Sequence, residues 1–236
     1  MTVFRKIKQS LLVKGKYQRY ILYAFGEIML VMVGILLAFQ VDKWNDNRLN
    51  RIEELKYYSN LKEELLSQRD NIRGQSNSNE ELMKQFSYAL NIINENDRSS
   101  IDTLSSIIPN LFNYSDFDQK GNLYEVLVNS GDIKLLFNTE IVNGIRDLEG
   151  RYVYLNRMEA IHWQIIAEHI IPGVSKNYSF VNLQPINPDV LYSNEFQNVH
   201  YMLLRIMGEK NTIYQNTLNE IDVLVGKIDK ELVSEL

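Results

Sequence analysis

The strongest feature of the hydrophobic pattern is an apolar run near the N-terminus. Between Tyr20 and Val41 the only carboxylate or amide side chains are Glu27 and Gln40. At a helical rise of about 1.5 Å per residue, this run is long enough to cross the roughly 30 Å hydrocarbon core of a bilayer. A cleaved signal peptide has a shorter apolar region, of about 7–15 residues, followed by a small-residue cleavage site that is missing here. The pattern therefore predicts an uncleaved transmembrane helix over residues 20–41.

Beyond this run, apolar residues recur at helical spacing and predict a succession of helices. The predicted helices cover residues 42–72, 78–96, 99–109, 123–129, 138–171 and 194–231. Glycine and polar residues predict a turn at 73–77, and Ser78 with Glu81 forms a capping-box pattern at the start of the next helix. Asn138 is the predicted N-cap of the long central helix, and Pro172-Gly173 is its predicted stop. The stretches 113–122 and 174–189 are expected to be loops.

The pattern also indicates the fold class. No stretch alternates between apolar and polar residues over the length of a strand, so no sheet is expected. The predicted fold is all-α, with one N-terminal transmembrane helix that continues into an extracytoplasmic antiparallel helical bundle. Three parts are predicted: a basic cytoplasmic segment over residues 1–19, the transmembrane helix over 20–41 and an extracytoplasmic helical domain over 42–236. Within that domain, residues 42–75 and the last helix are both long and are expected to pack together.

Charge is distributed unevenly along the chain, whose formal net charge is −5. Every charged side chain before Glu27 is basic, and the remainder of the chain is acidic overall. These basic residues are Arg5, Lys6, Lys8, Lys14, Lys16 and Arg19. The positive-inside rule then predicts a cytoplasmic N-terminus, a single pass through the inner (cytoplasmic) membrane and a periplasmic C-terminal domain. The acidic body argues against nucleic-acid binding, which leaves membrane lipid and other proteins as the expected partners.

Glu27 needs a physical explanation, because a charged side chain at the bilayer centre costs roughly 2.5–3.5 kcal/mol and is rarely left facing lipid. Glu27 is not central, but at helical rise it still lies about 10 Å inside the inner interface. It shares one helical face with small residues, which allow two helices to approach closely. The predicted helix-association face consists of Ala24, Glu27, Val31, Gly34 and Ala38. We expect this face to contact another helix, either in a homo-oligomer or in a membrane-protein partner. The alternatives are a local hydrogen bond to Tyr20 or Tyr23 and a role in proton or ion movement.

Two stretches of the chain carry a family resemblance. The first contains Gly26-Glu27-Ile28, Gly34-Ile35-Leu36 and Trp44-Asn45, and the second runs from Leu123-Tyr124-Glu125 through Ser130-Gly131-Asp132. Both are similar to an uncharacterised domain-of-unknown-function family of single-span, mostly helical envelope proteins of Bacteroidota-type Gram-negative bacteria. The resemblance implies a short basic head, one span and a helical extracytoplasmic part. The resemblance implies no biochemical activity. The C-terminal third of the chain is not part of the resemblance.

Candidate catalytic and metal-binding residues are few. The chain has no cysteine, and its three histidines are His162, His169 and His200. Glu159 and His162 have the E-x-x-H spacing of a di-iron ligand pair, but a di-iron bundle needs that unit twice. Core or surface positions are therefore favoured for the histidines. No metal, cofactor, catalytic residue or enzymatic activity is predicted.

Two further groups of side chains are expected to be structural. Tyr152, Tyr154 and Trp163 lie at helical spacing, which favours a place in the core over a small-molecule pocket. A small-molecule ligand is therefore possible but has no support in the sequence. The adjacent carboxylates Glu53-Glu54 and Glu63-Glu64 lie in charged helical segments and are expected to be solvated.

The sequence thus favours a membrane-anchored interaction or scaffold protein of the bacterial envelope, whose span associates through the Glu27 face. One alternative is an extracytoplasmic bundle that senses a ligand and signals through a partner, since residues 1–19 are too few for an output domain. Another is an accessory subunit of a proton-driven membrane complex, which the intramembrane acid Glu27 keeps open.

Overall fold

The computed structural model describes residues 16–117 and 123–233, and the fold is all-α, as predicted. The six α-helices are α1 (Lys16–Asn94), α2 (Ile101–Ile107), α3 (Leu123–Ser130), α4 (Thr139–Ile165), α5 (Ile171–Asn177) and α6 (Asn194–Val233). The basic residues up to Lys14 and the Lys120-Gly121 part of the predicted loop lie outside the described residues.

Short elements connect these helices. They are 3-10 helices over Arg98–Ser100, Ile108–Phe112, Asp132–Leu135 and Pro188–Tyr192, and one π-helical turn over Ile166–Ile170. The strands β1 (Tyr178–Ser179) and β2 (Gln184–Pro185) pair antiparallel, with Tyr178 opposite Pro185. These two-residue strands are the only strands in the described residues. The predicted loop at 174–189 therefore contains a small hairpin.

The chain falls into two compact units, and the boundary between them lies between Glu53 and Glu54. In the second unit α6 runs antiparallel to α1, as predicted for the two long helices. Lys62 Nζ lies 2.6 Å from Asp229 Oδ1, and Arg69 Nη1 lies 3.3 Å from Asp222 Oδ1. As the residue number in α1 increases from 62 to 69, that of its ion-pair partner in α6 decreases from 229 to 222, so the two helices are antiparallel.

The third long helix, α4, runs parallel to α1 and antiparallel to α6. The backbone N–H of Phe137, just before α4, donates to Glu54 Oε1 at 2.8 Å, and further along Tyr152 Oη donates to Gln68 Oε1 at 2.6 Å. Residues 95–138 therefore return the chain to the beginning of the bundle before α4 starts. This is the long crossover connection that some helical bundles contain.

The turn predicted at 73–77 is wrong, because α1 continues without a break to Asn94. Within this stretch Ser76 is buried against α6, and so is Asn79 one turn further along. Ser76 Oγ donates to Asn211 Oδ1 at 3.0 Å, and Asn79 Nδ2 donates to the Met207 carbonyl at 2.9 Å. Ser78 and Glu81, the predicted capping box, lie in the helix interior. Tertiary packing has overridden the weak local preference for a turn.

A glycine substitution tests this correction. Gly74→Ala is expected to raise the free energy of unfolding by about 0.5–1 kcal/mol, since alanine favours a helix interior over glycine by that amount. An added Cβ at Gly74 would meet no atom within 4 Å, so no steric cost opposes the gain. Urea unfolding of the purified chain measures the change. A loss of stability on Gly74→Ala would favour a turn at this position.

The helix stop predicted at Pro172-Gly173 is also wrong. The π-helical turn ends at Ile170, and α5 begins at Ile171 with Pro172 in its first turn. Proline is tolerated there because the N–H groups of a first helical turn have no intrahelical partner. Asn138, by contrast, is confirmed as the N-cap of α4, where its side chain accepts from the N–H groups of Glu140 and Ile141.

Glu54 corrects the expectation that the paired carboxylates are solvated, since only 1% of it is exposed. Its Oε1 accepts hydrogen bonds from Tyr58 Oη at 3.0 Å and from the Phe137 N–H at 2.8 Å. A buried carboxylate needs such donors to offset its lost hydration. Glu54 therefore holds the residue before the Asn138 cap against α1, whereas Glu53, Glu63 and Glu64 are exposed as expected.

Candidate functional site

The predicted helix-association face lies in the most apolar part of α1. This is the one helix of the described residues that is long and apolar enough to cross a membrane, and none of its apolar window is buried inside the structure. Glu27, Val31, Gly34 and Ala38 are exposed and Ala24 is half-buried. An added Cβ at Gly34 would meet no atom within 4 Å. The geometry therefore leaves this face open to a second helix.

A layer of buried polar side chains crosses the bundle of the second unit. It separates a first apolar cluster, drawn mainly from residues 58–72, 141–158 and 213–228, from a second, drawn mainly from 86–111 and 166–207. The polar layer consists of Asn79 of α1, Ser115 of the following loop, Glu159 and His162 of α4, and Lys210 and Tyr214 of α6. Each of the three long helices contributes apolar residues to both clusters. Its polar side chains lie at the boundary between those two sets of apolar residues.

Glu159 is the main hydrogen-bond acceptor of the polar layer. Its Oε1 accepts from the Phe117 N–H at 2.9 Å and from Tyr214 Oη at 2.9 Å. Tyr214 Oη also lies 3.1 Å from Ser115 Oγ. Burial raises the pKa of Glu159, while the nearby Lys210 charge and these hydrogen bonds oppose the rise. One carboxyl group therefore ties α4, α6 and the loop at 115–117 together.

Lys210 is a fully buried cation in the apolar stripe of α6. Its Nζ donates to the Ser115 carbonyl at 2.5 Å and lies 5.8 Å from the centroid of the Tyr114 ring. Burial lowers the pKa of Lys210 to about 8, against the opposing attraction of Glu159 and Asp116. Its ammonium group is therefore held by a carbonyl, an aromatic face and the charge of nearby carboxylates.

His162 is the least satisfied member of the polar layer. It is fully buried, and within the described part of the chain neither ring nitrogen has a hydrogen-bond partner. The Tyr114 ring packs against it edge-to-face at a centroid distance of 5.8 Å. Burial, with a smaller effect from the Lys210 charge, lowers the pKa of His162 to about 3, so this imidazole is neutral near pH 7.

Sequence reasoning found part of this layer. It identified Glu159 and His162 as one helical turn apart, and the structure places both in the core without a metal-binding set. No group of three potential metal ligands occurs in residues 16–117 and 123–233. Tyr214 was expected only as a member of the apolar stripe of the last helix, where it is indeed buried. Lys210 was missed, although a signal existed, because position 210 continues the stripe formed by Leu203, Met207 and Tyr214.

The other predicted core residues divide between interior and surface. His200 is buried as expected for a core histidine, whereas His169 is exposed. Of the three aromatic residues, Tyr152 is in the core, but Tyr154 and Trp163 are 41% and 48% exposed, which corrects the core prediction for both. Both lie on the outer side of α4, where Tyr154 Oη donates to Glu209 and the Trp163 ring contacts Tyr114.

A separate cavity of about 250 Å³ lies between the π-helical turn, α5 and the first turns of α6. Its apolar lining includes Ile170, Val174, Phe196 and Val199, all buried. Charged side chains and His169 stand at its edge. Sequence reasoning gave no sign of this cavity, because Pro172-Gly173 was expected to end a helix there.

Comparison with known proteins gives one family. The model of a family of unknown function, DUF6090, matches residues 27–206, which is more than half of the chain. The match begins at Glu27 and includes Glu159 and His162, and it ends inside α6 before Lys210. It therefore reaches further into the C-terminal third than the two stretches that carried the resemblance. No curated protein and no solved structure matches the chain.

Proposed function

We propose, since the chain belongs to the DUF6090 family of unknown function, that it is a membrane-anchored interaction or scaffold protein of the bacterial envelope. The observation that carries the proposal is the exposed apolar segment of α1, on which Glu27 shares a face with small residues. In this proposal the protein binds and positions partners and catalyses no reaction.

The helix-association face supports a protein contact inside the membrane. A charged side chain deep in the bilayer costs roughly 2.5–3.5 kcal/mol, so such residues usually face other protein rather than lipid. Gly34 and Ala38 are spaced as a small-xxx-small pair, which lets two helix backbones approach closely. A second helix on this face would cover Glu27 and supply its hydrogen-bond partner.

The proposed topology follows from charge. The basic residues before the span favour a cytoplasmic N-terminus, which puts residues 42–236 on the periplasmic side. The proposed location is therefore the inner membrane with a single pass. The proposed partner of the span is a second copy of the chain or another membrane protein.

Cysteine crosslinking tests the helix-association face in native membranes. The chain has no cysteine, so single substitutions Gly34→Cys and Ala38→Cys introduce unique thiols. Leu36→Cys and Met29→Cys are the matched controls, because both lie on the opposite side of the helix, about 200° around from Gly34. We expect oxidative crosslinks at Gly34 and Ala38 only, with the partner identified by mass spectrometry.

Crosslinks of equal yield at all four positions, or at none, would contradict the proposal. The same measurement in a Glu27→Gln background separates the proton-driven alternative. Glutamine retains the size and hydrogen-bonding groups of glutamate, so a packing contact and its crosslink are expected to persist. A crosslink that persists while a transport or motility phenotype is lost would favour proton coupling instead.

A further inference from the structure

We propose that the cavity between the π-helical turn and α6 binds a small zwitterion with an apolar side chain, of the size of an apolar α-amino acid. This inference goes beyond the proposed membrane-anchored role and does not depend on it. It gives the periplasmic bundle a ligand, whichever protein contacts the span.

The floor of the cavity fits an apolar side chain. Ile170, Val174, Phe196 and Val199 all line the cavity and are all buried. An apolar group that enters such a site gains contacts with these side chains and loses its own exposed surface. These four side chains therefore give an aliphatic or aromatic group an apolar contact, while the polar atoms of the lining remain for the charged groups of the ligand.

The rim of the cavity carries both signs of charge. Glu168 and Glu195 contribute carboxylates, Lys176 contributes an ammonium group and His169 an imidazole. All four side chains are exposed, and none of them forms an ion pair with another described residue. Two carboxylates with one ammonium complement a ligand that carries an ammonium and a carboxylate of its own, since each charge then meets an opposite one.

The size of the cavity limits the ligand. Sites for drug-sized molecules have volumes of roughly 300–1,000 Å³, and this cavity has about 250 Å³. The occupant is therefore a molecule of amino-acid size. At the wall, an added Cβ at Gly173 would meet no atom within 4 Å, so the glycine borders open space. The adjoining π-helical turn is a feature that often marks functional sites.

Ligand-dependent stabilisation of the full chain in detergent tests this proposal, with L-leucine as the probe. A ligand that binds only the folded state at about 100 times its dissociation constant is expected to raise Tm by about 5 °C or more. Three analogues each lack one recognised group: L-leucinamide lacks the carboxylate, N-acetyl-L-leucine lacks the ammonium and glycine lacks the apolar side chain. We expect each to bind about tenfold more weakly or worse, the loss of one charge-assisted hydrogen bond or one buried apolar group.

Variants connect the binding to the cavity. Gly173→Leu places a side chain in the open space and is expected to abolish the shift, whereas Gly226→Leu, at an exposed helical glycine of α6, is expected to retain it. If Gly173→Leu folds poorly, Lys176→Gln gives the second test. It should weaken binding of L-leucine about tenfold and leave binding of L-leucinamide unchanged, because leucinamide has no carboxylate for Lys176 to contact.

Three results would overturn the proposal. The first is no dose-dependent shift of the unmodified chain with L-leucine. The second is a shift that Gly173→Leu leaves intact while the variant remains folded. The third is equal binding of L-leucine and its three analogues, which would show that the charges and the side chain are not recognised.

Discussion

Glu159→Ala is expected to lower the free energy of unfolding by about 2–6 kcal/mol, because each buried donor left without an acceptor costs roughly 1–3 kcal/mol. The substitution takes away the acceptor of both the Phe117 N–H and the Tyr214 hydroxyl. It also removes the carboxylate whose charge favours the ammonium of buried Lys210. Urea unfolding of the full chain, followed through Trp163 in a Trp44→Phe background, reports on the polar layer directly.

Matched variants separate charge from hydrogen bonding in this experiment. Glu159→Gln keeps a side-chain oxygen for both donors and is expected to cost less, about 1–2 kcal/mol. Lys210→Met added to Glu159→Gln is expected to regain stability, since no buried charge then remains unpaired. Glu220→Ala is the control, because its ion pair with Arg151 is partly exposed and should contribute about 0–1 kcal/mol. Equal losses for Glu159→Ala and Glu220→Ala would contradict the role assigned to the polar layer.

Acidification from about pH 7 to about pH 5 is expected to remove about 2 kcal/mol of stability for each buried histidine. Burial lowers the pKa of His162 to about 3 and that of His200 to about 4, from an ordinary value of 6.5. Below pH 6.5 these histidines are therefore protonated in the unfolded chain but still neutral in the folded chain. The free energy of unfolding consequently falls as the pH is lowered from about 6.5 towards about 4. Below about pH 3–4 both states are protonated and the contribution is fully lost.

The histidine contribution is measured as a difference between variants. Glu159 has the opposite effect on stability, because its raised pKa lets the folded chain bind a proton at a higher pH than the unfolded chain does. This effect is present in every histidine variant and therefore cancels in the difference. His162→Leu and His200→Leu are each expected to remove about 2 kcal/mol of the loss between pH 7 and pH 5. His169→Leu, at an exposed position, is the control. An unchanged pH dependence in both core variants would contradict the prediction.

Long helices and their caps were predictable because their signals are local. The apolar run and its exposed helix, the Asn138 cap and the start of α6 at Asn194 each depend on a few neighbouring residues. Local sequence failed where distant residues decide the outcome. Residues 73–77 read as a turn, but the buried contacts of Ser76 and Asn79 with α6 keep them helical.

The polar layer shows the same limit for the candidate sites. Glu159 and His162 could be paired from their spacing within one helix, but their position against Lys210 depends on how α4 and α6 align. Glu54 looked like a surface carboxylate because the backbone N–H that it accepts from belongs to Phe137, far along the chain. The cavity beside Gly173 exists because the chain stays helical through Pro172, which a local reading of proline and glycine does not anticipate.

The division of the core into two apolar clusters has a consequence for how the bundle opens. Among the described residues the two clusters share only the half-buried side chain of Ile206, and the members of the polar layer other than His162 are hydrogen-bonded to one another. We therefore expect that opening the second cluster exposes little of the first, and that the two clusters have different opening free energies. A ligand bound between α5 and α6 would then protect the second cluster from local unfolding, while amide hydrogens of the first cluster would continue to exchange at their own rate.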